Sequence, residues 1–448
     1  MLSVPLEAIR ESLEGIMPSV IATSDAAGMP NISYLSQVHY IDSEHVGLSN
    51  QFFSKTAANI EITGRAKLVV LDGRNGMQHV LDLVFERSVR SGEIFERLAA
   101  QFDVMSGLQE TSHMLALRAV DIYRVEECSR IDPVAPLEPV PLPTDGRDNY
   151  LWQAAAAAGA LAEVGDAETL LDASLALLSE RFDIGHAMIL VADHETNRLV
   201  TVASRGYPHF GFGAEIAFGE GIIGVAAARR QTVRIPDLRR SRRYVSAIAA
   251  STAANREEIP VPMIEEPQSQ VAVPMIAAGR LIGVVFAESE KSFDFSHDEE
   301  AVLRIIAAQV ASGLVNFELA DVSGEARAPS APPQTHSGDR TEFRFQFFPH
   351  DGGVFIDNEY VIRGVPGRLL HHFVSSYVQT GRTEFSNREI RRDRRLNLPD
   401  FKDNLETRLI LLRRRLEERG GPLRLERPER GQIRLVIDGR PEISVSGE

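Results

Sequence analysis

Cysteine is nearly absent: Cys128 is the single one in 448 residues. An internal disulfide and any cysteine-rich zinc site are therefore excluded. The two glutamates preceding it in VEECSRID disfavour the thiolate that nucleophilic chemistry requires. No uncharged apolar run reaches the ~20 residues of a membrane span. MLSVPLEAIRESLEG is acidic from Glu7 on and has no basic segment leading into an apolar one, which argues against a secretory signal. These absences predict a cytoplasmic chain without a membrane. No internal repeat is found, and 44% hydrophobic with 25% charged residues is ordinary for a globular protein.

At about 150 residues per domain, the length predicts three domains. A proline-rich stretch over 131–149 and a Pro/Ser/Gly/Ala-rich one over 321–341 have little to bury and read as linkers. Units at 1–130, 150–320 and 342–440 result. Charge separates them: 21 of the 48 Lys and Arg and 17 of the 63 Asp and Glu fall from Arg340 onward, making that stretch net +4 and the remainder −19. A basic module on an acidic body fits a tethered binding domain, or ordinary variation among surface charges.

The first unit reads as strands: MPSVIATSD, PNISYLSQVHYID, HVGLSNQFF, AKLVVLDG, QHVLDLVFERSV and LALRAVDIYRV, with short helices at TAANIEITGRA and GEIFERLAAQFDVM. β-Branched and aromatic runs broken by Gly, Pro and Asp predict an antiparallel barrel-like sheet. Ser54, Lys55 and Thr56 fall at a helix start, where hydroxyls, a cation and free N–H groups either bind an anion or cap the helix.

PSVIATSDAAGMPNISYLSQVHYID, VGLSNQFFSKTAANI and LRAVDIYRV resemble, over residues 10–127, the pyridoxamine 5′-phosphate oxidase-like family of FMN-binding split β-barrels. The resemblance implies FMN, with Ser54, Lys55 and Thr56 on its phosphate, Asn59 nearby, and Gln37, Val38 and His39 bordering the isoalloxazine. Relatives of this barrel bind haem, a deazaflavin or nothing, so His39, His45, His79 and His113 become candidate haem ligands. The arginine-rich substrate-phosphate motifs of the true oxidases are missing, and no general acid or base constellation is evident. An FMN-dependent oxidoreductase is therefore the second reading rather than the first.

The second unit is helix, mixed strands and helix: an α/β sandwich. GEGIIGVAAARRQTVRIPD and SQVAVPMIAAGRLIGVVFAES resemble GAF domains over about residues 150–319. That family binds small ligands or dimerises, which implies Ser204, Arg205, Tyr207, Ile222 and Ala272 as candidate ligand residues and a homodimer through the end helices. The NKFDE signature of its cyclic-nucleotide binders is missing, and there is no cysteine for a bilin. A long arginine-led insertion at 239–268 reads as a solvated loop or a regulatory lid.

The third unit reads as short strands, three helices and a hairpin turning at RPERG. Ser386 and Glu389 form a capping box, and Gly381 and Gly420 are helix stops. Over about 343–438, and above all in LILLRRRLEERGGPLRLERPERGQIRLVI, it resembles the α+β winged-helix effector domains of OmpR-type response regulators. At 100° per residue, Phe401, Leu405, Leu409, Leu412 and Leu416 form a buried stripe on its third helix. Asp403, Glu406, Ile410, Arg413 and Arg414 are then expected outside, on the face that in this family enters the DNA major groove. The resemblance makes Arg391, Arg392, Arg394, Arg395, Arg413, Arg414, Arg427 and Arg430 candidate phosphate contacts. The whole chain then reads as a sensor and transcriptional regulator; a scaffold binding only proteins fits the acidic residues and Ile410 on that face.

Overall fold

The structure, a computed structural model, describes residues 2–14, 19–35, 37–50, 55–109, 117–131, 150–238, 259–323, 342–393, 396, 405–429 and 431–445. Three units follow one another along the chain.

In the first unit, β1 (Leu2–Ser3), β2 (Ser19–Ser24), β3 (Pro30–Leu35), β4 (Val38–Tyr40), β5 (His45–Asn50), β6 (Arg65–Leu71), β7 (Gln78–Val89) and β8 (Ala119–Ile131) form one antiparallel sheet in the order β3-β2-β6-β7-β8-β5-β4, with β1 on β8. In β2 and β6 buried and accessible residues alternate strictly, which places Ile21, Leu68 and Val70 inside. A 3-10 helix at Leu6–Ser12 supplies Leu6 and Ile9 to that core. Helix α1 (Lys55–Thr63) packs on β2 and β3, and α2 (Glu93–Gln109) reaches out to the second unit.

The second unit carries α3 (Tyr150–Ala162), α4 (Ala167–Phe182), β9 (His186–Asp193), β10 (Arg198–Arg205), β11 (Glu215–Ala217), α5 (Gly221–Arg229), β12 (Val233–Ile235), β13 (Ser269–Ala277), β14 (Arg280–Ser289) and α6 (His297–Ser323). Its sheet order is β11-β10-β9-β14-β13-β12. Alternate strand residues serve opposite faces: Ile189, Val191 and Val285 meet α3, α4 and α6, while Met188, Leu190 and Phe286 meet α5. Asp166 caps α4 by accepting from Thr169 N at 2.9 Å. Helix α6 is long and apolar enough to cross a membrane by length and composition, yet its buried face lies on the sheet. Most of the 239–268 insertion falls outside the described residues.

In the third unit, β15 (Glu342–Phe348), β16 (Gly353–Ile356) and β17 (Glu359–Ile362) lead into α7 (Gly364–Thr380), β18 (Glu384–Ser386), α8 (Asn387–Arg392), α9 (Leu405–Arg419) and the antiparallel pair β19 (Leu423–Glu426) and β20 (Gln432–Ile437). The chain then returns as β21 (Arg440–Val445), parallel to β15, so the unit extends past the 440 boundary expected from sequence. Gly381 ends α7 at φ 73°, a conformation other residues adopt only under strain. Ser386 accepts from Glu389 N at 3.3 Å; the Glu389 carboxylate turns to Arg382 instead of closing the box.

Candidate functional site

Among the described residues, four places bring chemistry-bearing side chains together. The first is a cleft of about 230 Å³ between α1, β3 and the middle of the barrel sheet. On its α1 wall, Asn31 Nδ2 donates to Thr56 Oγ1 at 2.9 Å, and Thr56 Oγ1 donates to Ser33 Oγ at 3.2 Å. Deeper in, Asp121 accepts from Asn50 Nδ2 at 3.0 Å and from Ser88 Oγ at 2.5 Å. Burial raises the Asp121 carboxyl above its ordinary value, and these two hydrogen bonds only partly oppose it. Tyr34, Phe85 and Tyr123 supply aromatic walls, and Glu61 adds a second carboxylate.

The candidate flavin residues divide. Thr56 lines the cleft and Lys55 is exposed beside it in the first turn of α1. Ser54 lies outside the described residues. Asn59 is buried and donates to Thr23 Oγ1 at 3.0 Å, a structural link from helix to β2. Gln37 meets Ser49 through its backbone, giving its N–H to Ser49 Oγ at 3.3 Å, and Val38 is core. His39 points into a different site, described below. None of His39, His45 and His79 lines the cleft, which removes them as axial haem ligands there; His113 lies outside the described residues. His45 instead pairs with Asp42 at 2.8 Å. The donors at the start of α1 fit a phosphate. The volume is below the ~300 Å³ at which ligand pockets usually begin, so the ring of an FMN would extend beyond the cleft.

In the second unit Tyr207, Ile222 and Ala272 share one apolar cluster on the α5 side of the sheet. Ser204 and Arg205 do not join them: Ser204 Oγ donates to Phe210 O at 2.7 Å, and Arg205 pairs with Glu180 at the surface. Sequence reasoning missed Glu288, which is buried beside Tyr207 and accepts from Ile264 N at 2.8 Å and Gln270 Nε2 at 3.1 Å. Burial raises its carboxyl above the usual range despite those bonds. A lone acid in the apolar run VVFAES was the available signal.

The third place was also missed. Arg234 of β12 lies 2.8 Å from Glu14 Oε2, 3.2 Å from Glu300 Oε2 and 3.5 Å from Glu11 Oε2, and donates to Phe295 O at 2.9 Å. Arg97 of α2 reaches Glu300 at 2.8 Å, His297 Nε2 lies 3.0 Å from Glu14, and His39 Nδ1 lies 3.4 Å from Glu14. Seven ionisable residues from the barrel, α2, β12 and the start of α6 thus close the joint between the first two units. Burial works to raise Glu11, but the His297 hydrogen bond and the Arg234 charge bring it down to about 2. Burial lowers His39 to about 4 against the pull of Glu14. For His297 burial is outweighed by Glu11 and Glu14, and its value rises.

The fourth place is α9. Its outer face is not exposed: Ile410 is 0% accessible, and Glu406, Thr407, Arg408 and Leu411 are buried as well. The helix lies on α4 and β10 of the second unit, so the two cores run together and the expectation of an outward groove-facing side is corrected. Arg414 pairs with Asp172 at 2.7 Å, donates to Val202 O at 2.9 Å and stands 5.6 Å over the Phe212 ring. Arg413 pairs with Glu168, and Arg408 lies 3.3 Å from Asp193. Arg391 lies 2.5 Å from Glu318, and Arg427 pairs with Glu406 inside its own unit. Arg392 is exposed. Arg394, Arg395, Arg430, Phe401 and Asp403 lie outside the described residues.

Comparison with known proteins agrees with the middle of the chain. Residues 165–315 match the GAF domain family model. No curated protein matches the chain. Among solved structures, the GAF domain of an Acinetobacter phosphoenolpyruvate-protein phosphotransferase is 18% identical, with TM-score 0.31, covering 40% of this chain and 97% of its own. The free methionine-R-sulfoxide reductase of Neisseria meningitidis, solved with its substrate, is 22% identical, with TM-score 0.29, covering 36% and 86%. An FMN-binding protein from Syntrophomonas wolfei is 16% identical, with TM-score 0.24, covering 29% and 90%. The six-stranded sheet, its helices on both faces and the family match together make the central unit of this multidomain chain a GAF domain.

Proposed function

We propose that this chain is a small-molecule-responsive regulator, in which the GAF domain relays the state of the barrel to the basic third unit. The observation that carries this reading is the central position of the GAF domain. Its β12 and α6 hold Glu11 and Glu14 of the barrel, and its α4 and β10 hold α9. A ligand that binds one arrangement of these joints better than another shifts the population between them.

FMN is the proposed barrel ligand. Lys55 and Thr56, at the start of α1, would hold its phosphate, and the ring would supply redox chemistry along the aromatic side of the cleft. The third unit, with its strands, three helices and β19–β20 hairpin, is proposed as a winged helix with duplex DNA as its target. Exposed Leu151, Trp152 and Ile305 on α3 and α6 are the proposed homodimer contact. The absorption spectrum of the purified protein with FMN added and then filtered away tests the first step. Retained flavin absorbance supports the reading, and complete loss to the filtrate refutes FMN as the ligand.

A second reading, a scaffold that binds proteins only, is favoured by the burial of Ile410 and Glu406. DNA binding at low salt separates the two.

A further inference from the structure

The third unit is the basic part of an acidic chain, and its docking surface shows where the two signs meet. On α9, Arg408, Arg413 and Arg414 span about 9 Å of helix. Each is engaged by a carboxylate of the GAF domain: Asp193 at 3.3 Å, Glu168, and Asp172 at 2.7 Å respectively. Arg363, at the start of α7, adds a fourth pair with Glu215 at 2.5 Å. A guanidinium meets a carboxylate and a phosphate through the same planar fork of N–H donors, so the carboxylates that engage these arginines occupy donors that a nucleic-acid phosphate would use.

The contact also has an orientation of its own. Glu418, at the far end of α9, accepts from Phe210 N at 3.1 Å and Gly211 N at 2.9 Å, which fixes the helix end against the loop before β11. Between the charged pairs, Ile410 and Leu411 are fully buried. Asp172 is 64% exposed while its partner Arg414 is buried, so this pair sits at the rim where an ionic competitor can reach it.

We propose that Glu168, Asp172 and Asp193 are built-in stand-ins for phosphates, which hold closed the surface through which α9 engages duplex DNA. The inference rests on the DNA-output reading above, and it adds that the described arrangement is the inhibited one. The GAF domain and DNA then compete for the same arginines, and release of the GAF contact is the step that a signal must drive.

The test uses the full chain carrying Glu168→Ala and Asp172→Ala together, a fluorescein-labelled mixed-sequence duplex as probe, and hydrogen exchange over α9 as the report on docking. A control with Glu163→Ala and Glu290→Ala makes the same change in net charge at exposed sites away from α9. The expected result is faster exchange in α9, at least about tenfold tighter DNA binding at about 50 mM salt, and loss of that gain by about 200 mM, with the control unchanged. Faster exchange without DNA binding overturns the DNA reading and the inference with it. Equal DNA binding by the wild-type chain and the variant, or an equal gain in the control, overturns the inhibitory contact while leaving DNA binding in place. Unchanged exchange shows that the carboxylates do not hold the helix, and refutes the inference directly.

Discussion

Arg234 and Glu14 meet at 2.8 Å with both side chains only 3% accessible, although they are 220 positions apart in the chain and belong to different units. A buried pair of this kind contributes little over a well-packed apolar substitute, but removing one partner leaves the other charged and unpaired. Arg234→Ala is therefore expected to destabilise the barrel–GAF joint by about 3–5 kcal/mol. Urea denaturation followed by barrel and GAF probes checks this, and should show the two transitions moving apart. Coincident transitions at the wild-type midpoint would remove the joint from any relay.

The same joint sets a pH dependence. The groups facing one another are Glu11, Glu14, His39, Arg97, Arg234, His297 and Glu300. His39 is depressed from 6.5 to about 4, so as pH falls below 6.5 the unfolded chain takes up a proton that the folded one refuses, and stability is lost down to about 4. His297 is raised, so its contribution is complete below 6.5 and disappears as pH rises through its elevated folded value. Glu11, at about 2 against 4.5, contributes fully above 4.5 and loses that contribution toward 2. Thermal stability of the joint should peak near pH 6.5 and fall on both sides. His297→Asn is expected to flatten the alkaline limb and, because the His297 hydrogen bond holds Glu11 down, to weaken the part of the acid limb below 4.5 as well; an unaltered alkaline limb would show that His297 does not carry it.

How much of this was legible in the sequence follows from the range of the interactions. Strand alternation, the Ser386 cap and the Gly381 and Gly420 stops depend on neighbours within a few residues, and they stand where periodicity and turn chemistry put them. Thr56 lines the cleft because its position falls in the first turn of α1, which forms one wall of it. His39 was misplaced because a single-strand pattern shows which face a residue takes, and here that face meets Glu14, which is itself held by another domain. The seven-residue joint comes from segments as distant as Glu11 and Glu300 and leaves no local trace. Ile410 was placed outside because a helical wheel knows one buried stripe, whereas α9 is buried on two sides. β21 was missed because its partner, β15, lies about a hundred residues earlier.

The barrel cleft makes opposite predictions for its two ends. Lys55→Ala removes the cation from the start of α1 and should weaken FMN binding at least about tenfold, as for a charge-assisted phosphate contact. Asp121→Asn removes a negative charge from the same cleft and should strengthen binding of the anionic cofactor, with Asn50 and Ser88 still able to hydrogen-bond the amide. Flavin fluorescence quenching measures both. Equal effects of the two substitutions would mean that FMN does not lie along the axis from Thr56 to Asp121.

The two sides of α9 can be weighed against each other. Helical geometry puts Ile410 on the side of Arg413 and Arg414, which meet the GAF domain, and Leu412 about 160° away, and both are fully buried. If the outer face were open to solvent, Ile410→Ala would be worth less than about 0.5 kcal/mol, as for a surface substitution. In the docked arrangement it should cost about 2–4 kcal/mol, comparable to Leu412→Ala, because each truncation leaves a cavity. The substitutions differ in where the loss appears. Leu412→Ala lowers the stability of the third unit itself, whereas Ile410→Ala spares that unit and separates its unfolding from that of the GAF domain. Calorimetry resolves these outcomes: a split transition for Ile410→Ala places it at the contact between domains, and a single transition shifted like that of Leu412→Ala places it in the core of the third unit.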